Sequence, residues 1–104
     1  MRVELHPEAR AELRSAAFWY EQRRIGLGNE FVTEAATALA RIGEAGDSFP
    51  KWPGTRTAVT PIRRAALQRF PYVIAFERRQ QEVLVLAVAH GKRRPLYWLS
   101  RSGV

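Results

Sequence analysis

The chain has 104 residues, no cysteine and a formal net charge of +7 at pH 7. This length predicts one domain over residues 1–104, and the lack of cysteine excludes disulfide bonds and thiolate chemistry. A charge this high indicates an anionic partner, whether a nucleic acid, an acidic protein segment or a membrane surface.

The positive charge lies in the second half of the chain. Residues 1–50 contain six Arg and eight acidic residues, a balance of −2, whereas residues 51–104 contain nine Arg, two Lys and two acidic residues, a balance of +9. This segregation favours a basic patch over an evenly solvated surface.

Nothing near the N-terminus predicts export or a membrane anchor. A signal peptide has an apolar core after its charged residues, and no such core follows the charged residue in Met1–Pro7. No run approaches the roughly 18 apolar residues of a membrane-spanning helix. We therefore expect a cytoplasmic protein without a membrane partner.

The first half predicts a strand and a helical hairpin. Residues 2–5 alternate as a short strand does, and Pro7 suits the first turn of a helix that we expect to end near Arg23. A second amphipathic helix follows Gly26-Leu27-Gly28, with Gly43 and Gly46 as possible ends. The apolar positions of this second helix are Leu27, Phe31, Ala35, Ala38, Leu39 and Ile42.

The second half predicts strands after an ordered loop. Residues 46–61 are rich in Pro and Gly, and Phe49 and Trp52 within them need a surface to pack against. From Ile62 onward the residues favour strands, with a hairpin formed by Tyr72–Phe76 and Val83–Ala89. The last run is apolar on both faces, which indicates a central strand. The order predicts an α+β fold, with an N-terminal strand and a helical hairpin packed on a small, mostly antiparallel sheet.

Candidate functional residues concentrate after the last predicted strand. Counting in twos from Leu84 places His90 on the same face as Leu86 and Val88. His90 could act as a general acid or base, or it could cap the strand through backbone hydrogen bonds. The next cations could clamp phosphates or acidic side chains, or form a solvated loop; they are Lys92, Arg93 and Arg94.

Two aromatic residues follow those cations. Tyr97 and Trp98 could stack on a base, donate a proton or anchor a partner, or they could close the edge of the core. Three earlier cations, Arg63, Arg64 and Arg69, could join the patch. Strand alternation places Arg63 and Arg69 on one face and Arg64 on the other.

The sequence lacks the usual arrangements of catalytic groups. With two histidines, His6 and His90, and no paired ligand spacing, we expect no metal site and no cofactor. Any catalysis would depend on Arg, His, Lys and Tyr, a set that can cleave RNA without a metal.

The chain resembles the RelE/ParE superfamily of toxins from type II toxin–antitoxin modules along most of its length. The N-terminal half contributes His6-Pro7-Glu8-Ala9, Trp19-Tyr20-Glu21 and Gly26-Leu27-Gly28. The C-terminal half contributes Arg63-Arg64, Phe70-Pro71-Tyr72 and Val85–His90 with Arg93-Arg94-Pro95 and Tyr97-Trp98. The resemblance implies a growth-inhibiting toxin that a cognate antitoxin neutralises.

The resemblance also implies two possible targets. RelE-like members cleave messenger RNA on the ribosome, and Arg93 and Tyr97 resemble catalytic residues of those members. If the chain is such a nuclease, His90, at the end of its strand, is a further catalytic candidate. ParE-like members inhibit DNA gyrase. Val73 stands where RelE-like toxins have an active-site Arg, and the Phe-Pro-Tyr and His-x-x-Arg-Arg-Pro segments are closer to the ParE and plasmid-stabilisation branch. We therefore predict a gyrase inhibitor that acts by binding, and leave open enzymatic activity, as a metal-independent, ribosome-dependent endoribonuclease, as the alternative.

The basic residues are predicted to bind the target or an acidic amphipathic segment of the antitoxin. These residues are Arg63, Arg64, Arg69, Lys92, Arg93, Arg94 and Trp98, the last as an apolar anchor.

Overall fold

The computed structural model describes residues 1–56 and 58–102, which form two helices and a four-stranded sheet. The elements are β1 (Arg2–Leu5), α1 (Pro7–Arg23), α2 (Leu27–Ala45), β2 (Ile62–Ala66), β3 (Tyr72–Arg79) and β4 (Glu82–His90). Short 3-10 turns lie at Gly46–Ser48 and Leu99–Arg101. The predicted α+β class and the predicted order of elements are confirmed.

The helical hairpin is held together at its turn. The carboxylate of Glu21 near the end of α1 accepts hydrogen bonds from the amides of Gly26 and Gly28, at 2.9 and 3.0 Å. This carboxylate satisfies amides that are unpaired at the start of α2. The helices approach closely here, since a Cβ atom on Gly28 would lie 2.5 Å from the carbonyl oxygen of Ala17. Beyond the turn, α2 continues through Gly43 and ends at Ala45.

The sheet is mixed, with strand order β1-β4-β3-β2. β4 runs antiparallel to β3 and parallel to β1, and β2 runs antiparallel to β3. β4 is therefore a central strand, as its apolar residues on both faces predicted. None of the helices in the described part of the chain is long and apolar enough to cross a bilayer.

A β-bulge interrupts the pairing of β3 with β4. Ala75 lies opposite Ala87, but the next residue, Phe76, lies opposite Val85. Leu86 is therefore the extra residue of the bulge, and the alternation of side chains along β4 changes phase there.

This change of phase corrects the predicted face of His90. Leu84 and Leu86 pack in the apolar cluster on the sheet face away from the helices. Val88 packs in the cluster on the helix side, and the His90 ring lies 5.1 Å from the ring of Tyr72, which borders that cluster. The prediction that Leu84, Leu86, Val88 and His90 share one face is therefore wrong.

Both faces of the sheet are covered by apolar side chains. The helical hairpin covers one face, where Phe31 and Ile42 pack with Ile74. The loop before β2 and the C-terminal segment cover the other face, where the rings of Trp52 and Trp98 lie 4.8 Å apart. Trp52 thus finds the packing surface that the sequence predicted, as does Phe49, whose ring lies 5.6 Å from that of Phe76.

The short first strand leaves part of β4 uncovered. β1 pairs with β4 only over Glu82–Val85. Among the described residues, no strand lies beside residues 86–90 on that edge. Backbone groups at an uncovered edge need other partners or water, and here α1 and the C-terminal segment approach the edge.

Candidate functional site

A groove of about 860 Å³ lies between α1 and the uncovered edge of β4. Its wall combines aromatic rings with charged groups from three parts of the fold. The residues that matter most are Glu12 and Trp19 from α1, Tyr72 and His90 from the sheet, and Arg93 and Arg101 from the C-terminal segment.

Glu12 is the centre of the polar contacts in this groove. Its carboxylate accepts a hydrogen bond from the amide of Val88 at 3.0 Å and another from the Tyr97 hydroxyl at 2.8 Å. The Arg101 guanidinium donates to both carboxylate oxygens, at 3.2 and 3.1 Å. Three separate parts of the chain are thus joined through one side chain.

Arg101 completes the closure of the β4 edge. Its guanidinium also donates to the carbonyl oxygen of Leu86 at 2.9 Å, and its side chain is only 11% exposed. Arg101 and Glu12 therefore satisfy backbone groups at Leu86 and Val88 that a longer β1 would have paired. Removing one partner from such a sheltered charge pair costs about 3–5 kcal/mol.

Tyr97 and Arg93 form a stacked pair above this centre. The Arg93 guanidinium carbon lies 4.0 Å from the centroid of the Tyr97 ring, a cation–π contact. Burial raises the pKa of Tyr97, and the hydrogen bond to Glu12 raises that pKa further. The phenol therefore keeps its proton at neutral pH, and Arg93 remains exposed in the groove.

His90 lies in the groove at the end of β4. Its Nδ1 accepts a hydrogen bond from the amide of Lys92 at 3.0 Å, and its carbonyl oxygen accepts one from the amide of Arg93 at 3.0 Å. These bonds shape the turn after β4, which is the capping role considered for this histidine. His90 and Arg93 thus line the same groove, and Arg93 also contacts the Tyr97 ring.

The earlier cations lie elsewhere. Arg63 faces the helices and donates to the carbonyl oxygen of Phe49 at 2.7 Å, which fixes the loop before β2. Arg64 follows it on the opposite face of β2 and is exposed. Because β2 ends at Ala66, strand alternation does not extend to Arg69, which instead pairs with Glu30 of α2 at 2.6 Å. None of these three arginines lines the groove.

The remaining predicted contact residues differ in exposure. Lys92 and Arg94 are exposed in the turn beside Arg93. Trp98 is only 1% exposed and packs under the sheet against Trp52. It closes the core there, so its prediction as a binding anchor is corrected. Trp19, which is 51% exposed in the groove wall, offers an aromatic surface instead.

A partial signal for Glu12 is present in the sequence, whereas none is present for Arg101. Glu12 lies three residues after Ala9 and four before Ala16, both buried, so it borders the buried stripe of α1. An acidic residue at such a border often has a partner within the fold. Arg101 lies among other basic residues near the C-terminus, and its role depends on how the chain turns back after β4.

Comparison with known proteins places the chain in a family. A family model described as the ParE toxin of type II toxin–antitoxin systems matches residues 3–95. The chain belongs to the ParE toxin family. The predicted membership of the RelE/ParE superfamily, in its ParE branch, is confirmed. ParE toxins belong to modules with a cognate antitoxin, which is therefore the expected partner of this chain.

A solved structure shares this fold. A chain from the chromosomal ParDE toxin–antitoxin system of P. aeruginosa superposes with a TM-score of 0.70 and 17% sequence identity. The match covers 86% of the present chain and 95% of that chain. At this identity the match supports the fold. No curated protein sequence matches at a significant level.

Proposed function

We propose that this ParE-family protein is a growth inhibitor that acts on DNA gyrase by binding and that a cognate antitoxin neutralises it in the cytoplasm. The observation that carries the choice of mechanism is the hydrogen bond from Tyr97 to Glu12 at 2.8 Å. It engages the tyrosine proton that a RelE-like nuclease would need to transfer.

The pKa of Tyr97 supports the same choice. General acid–base catalysis is most efficient when the pKa of the group lies near the working pH. Burial and the Glu12 hydrogen bond move the pKa of this phenol further above neutrality. Val73 also supplies no cation on β3, where a nuclease would use one to stabilise a developing negative charge.

The groove beside α1 is the proposed contact site for the antitoxin. Trp19 and Tyr72 offer apolar surface, and Arg93 offers a cation whose charge Glu12 does not neutralise directly. An acidic amphipathic segment would place apolar side chains on the rings and a carboxylate near Arg93. Apolar anchors supply most of the affinity of such complexes, and charge complementarity speeds association.

Induced expression in a sensitive bacterial host tests the mechanism. DNA-damage response and messenger integrity are followed in parallel, and purified protein is added to a gyrase supercoiling assay. Gyrase inhibition predicts a DNA-damage response, intact messenger and loss of supercoiling activity. Cleaved messenger on translating ribosomes would instead favour the endoribonuclease.

Two variants sharpen this test. Tyr97→Phe keeps the ring under Arg93 but removes the hydroxyl. Under the binding mechanism this variant stays toxic within a few fold, because nearly all of its contact area remains. Removal of a general acid or base lowers a chemical step by about 10²–10⁴. A nuclease would therefore lose toxicity in Tyr97→Phe or His90→Gln while still binding the antitoxin.

The antitoxin encoded beside the gene provides a separate test. Its affinity for the toxin, measured by calorimetry over a salt series, should fall modestly as ionic strength rises, because the basic surface contributes to attraction. Affinity independent of salt, or the lack of a neighbouring antitoxin gene, would contradict the acidic-partner part of the proposal.

A further inference from the structure

We propose that Glu12 is a positioning residue that holds the C-terminal segment, residues 94–102, so that Arg93 is presented in the groove. This inference rests on the proposed function of the groove, because it concerns how the contact residue Arg93 is held in place. It assigns a role in binding to Glu12, which lies at the border of the buried face of α1.

The first step of the argument is the uncovered edge of β4. The pairing of β1 with β4 ends at Val85, so no strand in the described part of the chain pairs with the backbone at Leu86 and Val88 on that side. The Glu12 carboxylate accepts a hydrogen bond from the amide of Val88, and the Arg101 guanidinium donates one to the carbonyl oxygen of Leu86. The C-terminal segment is therefore attached to the sheet through side chains rather than through a strand.

The second step is the path from Glu12 to Arg93. The Glu12 carboxylate fixes the hydroxyl end of Tyr97 at 2.8 Å, and the face of that ring lies 4.0 Å from the Arg93 guanidinium carbon. The Arg101 guanidinium carbon lies 5.3 Å from the same ring. The Tyr97 ring is therefore a planar support for Arg93, and the position of this ring depends on Glu12. Glu12 acts on Arg93 only through Tyr97.

The third step is the weak local structure of the segment. It contains one short 3-10 turn, Leu99–Arg101, and Leu96 adopts a left-handed backbone conformation with φ of 61°. A segment with so little regular structure depends on its side-chain anchors. Trp98 anchors it under the sheet, and Glu12 anchors it on the helix side.

Amide exchange measured by NMR on the purified chain tests the anchoring. In Glu12→Gln, the loss of the charge-assisted hydrogen bonds should speed exchange at Leu99 and Arg101 on the order of tenfold, with the amides of α2 unchanged. Glu44→Gln on α2 is the matched control, because it makes the same change of charge at an exposed helical position and should leave the segment unchanged. Exchange in Glu12→Gln equal to that in wild type would overturn the inference.

Antitoxin affinity tests whether Glu12 acts through Arg93. The dissociation constant for the antitoxin encoded beside the gene is measured by calorimetry for Glu12→Gln, Arg93→Ala and the double variant. If Glu12 positions Arg93, the double variant should be no weaker than Arg93→Ala alone, because the effects share one pathway. Independent, additive losses would overturn the inference, since a purely structural role for Glu12 would not depend on Arg93.

Two further results keep this test decisive. If Glu12→Gln does not fold, Tyr97→Phe replaces it, because this variant keeps the Glu12–Arg101 pair and removes only the hydrogen bond from the ring to Glu12. Faster amide exchange confined to residues 97–102 is then expected. Unchanged exchange in Tyr97→Phe would overturn the inference. If Arg93→Ala alone binds the antitoxin as tightly as wild type, Arg93 is not a contact residue. The proposed groove site then fails and with it the presentation role, while the exchange result still separates that failure from a failure of anchoring.

Discussion

Glu12 and Tyr97 lie 85 positions apart in the sequence, and their side chains meet in a hydrogen bond of 2.8 Å. The contact joins the first helix to the segment after the last strand. The phenol proton is engaged in this bond, and the Arg93 guanidinium carbon lies 4.0 Å from the centroid of the Tyr97 ring. This arrangement supports the proposal that the groove holds a partner rather than moving protons.

The close approach of the helices at Gly28 predicts a large effect of one methyl group. In Gly28→Ala, the new Cβ would lie 2.5 Å from the Ala17 carbonyl oxygen, and the hairpin would have to separate. We expect a loss of about 1–3 kcal/mol in the free energy of unfolding, measured with urea. Gly46→Ala is the control, because its backbone is helical and its Cβ would meet only Phe76, at 3.4 Å. Equal stabilities of the two variants would contradict the expected clash.

Two tryptophans are predicted to have opposite roles. Trp98→Ala should lower the free energy of unfolding by about 3–5 kcal/mol, because Trp98 is 1% exposed and packs on Trp52. Trp19→Ala should change stability by less than about 1 kcal/mol, since Trp19 is 51% exposed, yet it should weaken antitoxin binding at least about tenfold. Thermal unfolding and calorimetry measure the two effects. Antitoxin affinity unchanged in Trp19→Ala would remove that residue from the interface.

Arg93 is predicted to matter more for binding than another exposed arginine outside the groove. Loss of a charge-assisted hydrogen bond costs about 1.5–3 kcal/mol, so Arg93→Ala should weaken antitoxin binding by about 10- to 150-fold without unfolding the chain. Arg56→Ala in the loop before β2 makes the same change of charge at an exposed site and should bind within a few fold of wild type. Arg101 would be a poor control, since its side chain is only 11% exposed and pairs with Glu12. Equal affinities of the Arg93 and Arg56 variants would argue for a nonspecific basic surface.

The ion pair between α2 and the β2–β3 loop predicts a dependence of stability on pH. The hydrogen bond from Arg69 lowers the pKa of Glu30 below its usual value, and Arg24 adds to this effect. Because the folded-state pKa is lowered, the stabilisation is present above the usual pKa of a glutamate, about 4.3, and is lost as pH falls through the folded-state value. Glu30→Gln should therefore lose less stability than wild type between about pH 5 and pH 3.

Urea unfolding at a series of pH values measures this difference. Glu44→Gln, which changes an exposed glutamate at the other end of α2, is the control and should follow the wild-type dependence. The difference should be small, since the side chains of Arg69 and Glu30 are 58% and 37% exposed and solvent screens the pair. Identical profiles for Glu30→Gln and wild type would show that this pair makes no contribution.

The sequence by itself determined the elements and their order. Pro7 and Arg23 bound the first helix as predicted, and the apolar run from Val83 to Ala89 identified a central strand. These features are local, because helix periodicity and a strand with two apolar faces can be read from neighbouring residues. The cluster of His90 and Arg93 could also be found from neighbouring residues, since β4 ends and the following loop begins within a few residues.

Only the tertiary structure decided which side chains meet. The bulge at Leu86 moved His90 to the helix side, because one extra residue reverses the alternation of a strand. Because β1 is short, part of the β4 edge is left without a strand, and Glu12 and Arg101 contact each other beside this part of the edge. Trp98 became a core residue because the chain turned back under the sheet. Such contacts depend on register and chain reversal, which join residues far apart and leave little trace in a local pattern.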